Sequence, residues 1–93
     1  MEKLQQLLES EFDQLTFCLN GPKESAVCLE KKADRYVVFE NERNNRSNEA
    51  EYDNLMDAAM DLIHRLSDSK EEALTVQEKY RETARNIFTS SGV

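Results

Sequence analysis

Cys18, Cys28 and His64 are the residues of this chain whose types suggest chemistry first, and their spacing decides which. If residues 15–19 and 26–30 pair as a hairpin centred near Lys23, Cys18 falls opposite Cys28. Two thiols on one sheet face are then placed to oxidise, although burial as small hydrophobes is the commoner use of cysteine. A zinc centre needs further ligands, and the single histidine lies far from both cysteines along the chain, so no metal is expected. As a general base His64 would need a nucleophile and an orienting carboxylate, and no such set accompanies it. It reads as a surface or boundary histidine. Gly21 and Gly92 are the only glycines, too few and too far apart for a phosphate-binding loop, so no cofactor is expected. Carboxylates recur by chance in so acidic a chain and carry no hydrolytic signature by themselves. The chain does not read as an enzyme.

The 93 residues make a single domain, 1–93, with one core and a shallow surface. Hydrophobic residues at 39% and charged residues at 33% are ordinary for a folded chain and too apolar for general disorder. Twelve basic against nineteen acidic side chains give a net charge of −7, which repels nucleic acid and excludes it as a direct partner. The charge is uneven: residues 1–30 hold two basic and six acidic groups, whereas residues 31–48 hold five basic and three acidic. An acidic body with one basic segment steers a cationic partner while offering arginines as local anchors, against the simpler reading of solvated faces. No segment approaches the ~20 apolar residues that span a bilayer, and the start is amphipathic and acidic, so a cytoplasmic protein without membrane contact is expected.

The elements that position these residues follow from periodicity. Leu4, Leu7, Leu8 and Phe12 recur at helical spacing and predict a helix over 2–12. Leu15, Phe17 and Leu19 alternate with Thr16 and Cys18 as a half-buried strand does. Asn20, Gly21 and Pro22 signal a turn, and Ala26–Glu30 reads as the second strand. Arg35–Glu40, with Tyr36, Val37, Val38 and Phe39 apolar in succession, predicts a strand covered on both faces. Residues 41–53, polar and without glycine or proline, read as a long loop, the kind that is often functional or mobile. Asp53 or Asn54 caps a helix to about Leu66, with Leu55, Ala59, Leu62, Ile63 and Leu66 on its buried stripe and Asp57, Asp61 and Arg65 along an exposed edge. Ser69 with Glu72 forms a capping box that opens a last helix to Phe88, striped by Ala73, Val76, Tyr80, Ala84, Ile87 and Phe88. Thr89–Val93 reads as a frayed tail. The expected class is α+β: an N-terminal helix, a three-stranded antiparallel meander and two C-terminal helices packed on the sheet.

The run Tyr36-Val37-Val38-Phe39, then Glu42-Arg43, then Tyr52-Asp53 leading through Ala58 and Ala59 to Leu62, Ile63 and Leu66, resembles the core of small bacterial immunity proteins of polymorphic-toxin systems. In that family an aromatic-starting strand leads to a Glu-Arg-Gly turn, an aromatic residue and a helix with a central alanine. Here Asn44 stands where the glycine is expected, and the likeness covers about a third of the chain. The resemblance implies a protein without chemistry of its own that neutralises a cognate toxin by tight, stoichiometric binding, and the acidic surface suits a basic nuclease as target. The contact residues it implies are the exposed acids Glu49, Glu51, Asp57 and Asp61, Tyr52 as an aromatic anchor, and Arg43 and Arg46 as secondary contacts.

Two other readings stay open on the sequence. One is a regulatory or structural adaptor, a homodimer formed through the C-terminal helix. The other is a small enzyme or ligand carrier whose sheet and helices enclose an apolar pocket lined by Phe17, Tyr36 and Phe39.

Overall fold

The computed structural model describes residues 2–19, 23–43 and 45–91, the last six of these by backbone alone. Leu4 and Leu8, one turn apart and fully buried, fix the inward face of helix α1 (Glu2–Glu11). Asp13 stops it with a turn: its carboxylate accepts from the Leu15 N–H at 2.9 Å and its carbonyl from the Thr16 N–H at 3.0 Å. Leu15 is left outside the sheet and 70% exposed, so the first strand, β1, is only Phe17–Leu19.

The sheet departs from the expected three-stranded antiparallel meander. It has four strands in the order β1-β2-β3-β4, with β2 at Ala26–Lys32, β3 at Arg35–Glu42 and β4 at Asn45–Tyr52. The segment expected as a long loop is therefore largely a strand. β4 pairs antiparallel with β3, from Tyr36 opposite Tyr52 to Glu42 opposite Asn45. The second correction concerns β1, which runs parallel to β2, with Phe17 beside Val27, Cys18 beside Cys28 and Leu19 beside Leu29. A parallel return normally takes a dozen or more residues. Three strand residues span only ~10 Å, a distance that the residues between Leu19 and Ala26 can retrace. Two bonds hold the returning chain in place: Lys23 Nζ donates to the Gln14 carbonyl at 2.8 Å, and the Val27 N–H to the Thr16 carbonyl at 2.9 Å. The expected turn at Asn20, Gly21 and Pro22, and Asn44 in the glycine position, lie outside the described residues.

With so few glycines, other residues adopt the left-handed backbone at the bends: Ser25 (φ 55°), Ala33 (φ 50°), Arg43 (φ 52°) and Asn48 (φ 52°). Ala33 stands between the paired ends of β2 and β3, Arg43 at the β3–β4 connection, and Asn48 where the β3–β4 register shifts between Val38 and Glu40, a bulge.

Helix α2 (Leu55–Leu66) starts at Asn54, whose side chain accepts from the Asp57 N–H at 2.9 Å. Helix α3 (Lys70–Ser91) starts at the expected cap, Ser69, whose Oγ accepts from the Glu72 N–H at 3.1 Å; the returning half of the expected capping box is shifted by one residue, the Glu72 carboxylate accepting from the Asp68 N–H at 3.4 Å. Ala73, Val76 and Tyr80 are buried as the stripe requires; the expected Ile87 and Phe88 side chains lie outside the description.

All three helices share a core with one sheet face. Leu4 and Leu8 of α1, Ala58, Ala59, Leu62 and Ile63 of α2, and Val76 and Tyr80 of α3 meet Phe17, Leu29 and Val38. Each fully buried leucine or isoleucine contributes about 1.5–3 kcal/mol by leaving water. The opposite face carries a second, smaller cluster of Ala26, Cys28, Val37 and Phe39, with Cys18 at its margin and, among the described residues, no helix residue in it. β3 is thus buried on both faces, as its unbroken apolar run predicts. The same alternation corrects the expected pocket of Phe17, Tyr36 and Phe39: the first two belong to the helix-covered core and Phe39 to the other face.

Candidate partner-binding surface

The residues that the resemblance implicates lie at the β3–β4 connection, along β4 and on the first two turns of α2, and the structure divides them into exposed groups and groups held by the rest of the fold. Arg43, exposed at the hairpin tip, donates its backbone N–H to the Glu24 carboxylate. Its guanidinium forms no ion pair among the described residues. Glu49 and Glu51 are exposed on β4; Glu49 reaches Arg46 at 3.6 Å, and Glu51 reaches Arg35 at 3.6 Å. Asp57 is exposed in the first turn of α2, where its carboxylate accepts from Asn54 Nδ2 at 3.0 Å and favours the positive helix start.

Arg46 is not a free anchor. Its guanidinium carbon lies 4.0 Å from the ring centroid of Phe39, and Nη2 donates to Glu30 Oε2 at 2.6 Å. It helps to roof the second apolar cluster, which among the described residues no helix side chain covers. Tyr52 and Asp61 are likewise engaged within the molecule and part-buried, which corrects the expectation of an exposed anchor and an exposed acid. The Tyr52 hydroxyl donates to Asp61 Oδ2 at 2.7 Å, and Arg65 Nε donates to Asp61 Oδ1 at 3.0 Å. The Asp61 and Arg65 side chains are each only 16% exposed. The i, i+4 pair read from the sequence is therefore real but half-buried. Burial first, then the hydrogen bond to Asp61 and its negative charge, push the Tyr52 hydroxyl up to about 12.

This network runs on to residues for which the sequence offered no signal. Arg65 Nη1 is buried and 3.7 Å from Glu40 Oε2, making no hydrogen bond among the described residues. The same Glu40 oxygen accepts from Asn48 Nδ2 at 2.9 Å, so the bulge of β4 is tied through two charges to the end of α2. Beside it opens a cleft of about 410 Å³ whose walls include Thr16, Ser25, Glu40, Glu42, Ser47 and Arg65. Only contact across the sheet brings these groups together, which sequence spacing cannot show. His64 is exposed, as expected for a surface histidine, and borders a separate groove of about 500 Å³ at the α2–α3 joint.

Among the described residues no group of three or more His, Cys, Asp and Glu side chains is placed to hold a metal ion. No described helix is long and apolar enough to cross a membrane. Glu42, Glu49, Glu51, Asp53 and Asp57 are all exposed, in sequence from the end of β3 through β4 into α2, with Glu49 beside Arg46 and both Glu51 and Asp53 beside Arg35, an arrangement that suits recognition by charge. Comparison with known protein families, with curated proteins and with solved structures finds no match for this chain.

Proposed function

We propose that the protein is a non-enzymatic, protein-binding inhibitor that neutralises a cognate bacterial toxin by stoichiometric binding in the cytoplasm of the producing cell. The observation that carries this reading is the set of exposed acids from Glu42 through Glu49, Glu51 and Asp53 to Asp57, which outnumber the interleaved Arg35, Arg43 and Arg46, on a chain of net charge −7. Such a set attracts a basic surface, accelerates encounter and occupies a site built for phosphate, which fits a basic nuclease as the toxin. The strand–turn–helix likeness to immunity proteins falls on this part of the chain. Glu49, Glu51 and Asp57 are the primary contacts in this reading, with Arg43 beside them; Arg46, Tyr52 and Asp61 hold the surface in shape.

The test uses toxic C-terminal domains of large secreted proteins encoded beside this gene. One of them is expected to form a one-to-one complex with the protein and to lose its activity in that complex. Reversing Glu49 and Glu51 to lysine should slow association by about tenfold with little change in thermal midpoint. A toxin domain that stays active in saturating protein, or an association rate indifferent to the reversal, overturns the reading.

A second reading, an adaptor that dimerises through α3, draws on Leu74, which is 54% exposed on that helix beside the groove at the α2–α3 joint. A sedimentation coefficient that rises with concentration, and that Leu74→Lys abolishes, would favour it.

A further inference from the structure

The two cysteines occupy one register position on neighbouring parallel strands, Cys18 on β1 and Cys28 on β2. Side chains at a shared register position project from the same sheet face, here the face of the second, smaller cluster. Adjacent strands lie about 4.8 Å apart, inside the ~4.4–6.8 Å range of Cα separations that a disulfide spans. The two thiols differ in access. Cys18 is half-buried, whereas Cys28 beside it is 0% exposed. Both are held only by weak thiol contacts to carbonyls: Cys18 Sγ to Leu19 at 3.8 Å, and Cys28 Sγ to Ala26 at 3.7 Å and to Lys23 at 3.9 Å. Burial pushes the Cys28 thiol up, and the neighbouring Cys18 adds to this, so Cys18 is the thiol that meets an external reagent first.

We propose that Cys18 and Cys28 are a redox-active pair that closes to an intramolecular disulfide in the folded protein, stapling β1 to the sheet. With a small disulfide such as oxidised glutathione as oxidant, the Cys18 thiolate attacks one of its sulfurs and expels a glutathione thiolate, leaving a mixed disulfide on Cys18. The Cys28 sulfur then attacks Cys18 Sγ, and the second glutathione leaves as a thiol that carries off the Cys28 proton. Two protein thiols are oxidised, one glutathione disulfide is reduced to two thiols, and no foreign atom stays on the chain. β1 can absorb the small shift that bond formation asks for, because it is a three-residue edge strand paired on one side.

The placement gives the bond a consequence. Between the two cysteines lie Lys23, whose carbonyl accepts from Asn41 Nδ2 at 3.1 Å, and Glu24, whose carboxylate holds the Arg43 N–H. Closing the ring from 18 to 28 therefore ties down the segment that braces the β3–β4 hairpin. The proposal does not depend on the identity of any partner.

The experiment equilibrates the full-length protein in glutathione redox buffers, quenches in acid, alkylates in denaturant and measures intact mass. Expected is a monomeric species two hydrogens lighter than the reduced protein, carrying no alkyl group and no glutathione. Its thermal midpoint should rise by about 5–10 °C and fall back on adding dithiothreitol. Because the fold favours the bond, the oxidation equilibrium in native buffer should exceed that in concentrated urea by at least about tenfold. Persistent glutathione on Cys18, a covalent dimer, two alkylated cysteines at every ratio, or an equilibrium no higher in native buffer than in urea overturns the proposal. Cys18→Ala should make the midpoint insensitive to the redox buffer.

Discussion

The guanidinium of Arg46 lies over the ring of Phe39, with 4.0 Å from its central carbon to the ring centroid, and Glu30 anchors the same group at 2.6 Å. A basic residue that looks available for a partner is thereby part of the roof of a buried cluster. Arg46→Ala removes the cation–π contact, the ion pair and the cover over Phe39 together, and is expected to cost about 1–2 kcal/mol. Arg46→Lys should recover only part of it, since an ammonium cannot stack as the planar guanidinium does. Urea denaturation of the three proteins at pH 7 checks both statements.

Asp57 and Asp61 stand one helical turn apart and should respond very differently to charge reversal. Asp57→Lys acts on an exposed helix start and should cost about 1 kcal/mol or less. Asp61→Lys leaves the half-buried Arg65 facing a second cation and strips the Tyr52 hydroxyl of its acceptor, so a loss of about 3–5 kcal/mol is expected. Equal midpoints for the two variants in chemical denaturation would contradict the network described here. Association measurements should accordingly use Glu49, Glu51 and Asp57 and leave Asp61 intact.

The raised Tyr52 hydroxyl makes stability depend on alkaline pH. Its ordinary value is near 10, and the fold holds it at about 12. The neutral form is thus the one the fold favours. Its contribution is complete below pH 10 and is lost as the pH climbs through 12. Tyr80, raised by burial and by Tyr36, adds to the same trend. Thermal midpoints between pH 8 and pH 12 should fall less steeply for Tyr52→Phe than for the parent protein, although the variant starts lower at pH 8 for want of the bond to Asp61.

At Ala33 the backbone adopts φ 50° without the freedom a glycine would have. Ala33→Gly relieves a strain of about 1–2 kcal/mol and gives back part of it through the greater entropy of the unfolded chain. A net gain of about 0.5–1 kcal/mol is expected, seen as a thermal midpoint a few degrees higher. A lower midpoint would show that the turn favours alanine for another reason.

Much of the fold was legible because it is written in local signals. The helix boundaries follow from Asn54 and from Ser69 with Glu72, whose hydrogen bonds form within a few residues. β3 announced its double burial through four apolar residues in a row. β4 carries almost no apolar alternation: Ala50 and Tyr52 alone turn inward, and its pairing is set by backbone bonds to β3 that composition does not encode. The direction of β1 was hidden for a different reason. An antiparallel hairpin centred on Lys23 and a parallel pair offset by ten residues both set Cys18 beside Cys28, and both keep Phe17, Leu19, Val27 and Leu29 on one face. The hydrophobic pattern is identical in the two cases and cannot choose between them, and the short connection by itself favours the hairpin. The candidate surface was legible as a stretch of sequence. Which of its side chains face outward depends on Phe39 and Arg65, neighbours in space alone.

The arrangement of β1 bears on the order in which the molecule assembles. β2, β3, β4 and α2 follow one another along the chain and pair with neighbours, so their contacts close over short loops and can form early. The N-terminal segment has no such advantage. α1 is tied to α3 by the Lys79–Glu11 ion pair, at 2.6 Å across most of the chain, and β1 holds on to the edge by three residues. This segment is expected to dock last and detach first, so that the backbone amides of β1 exchange with deuterated solvent well before those of β3.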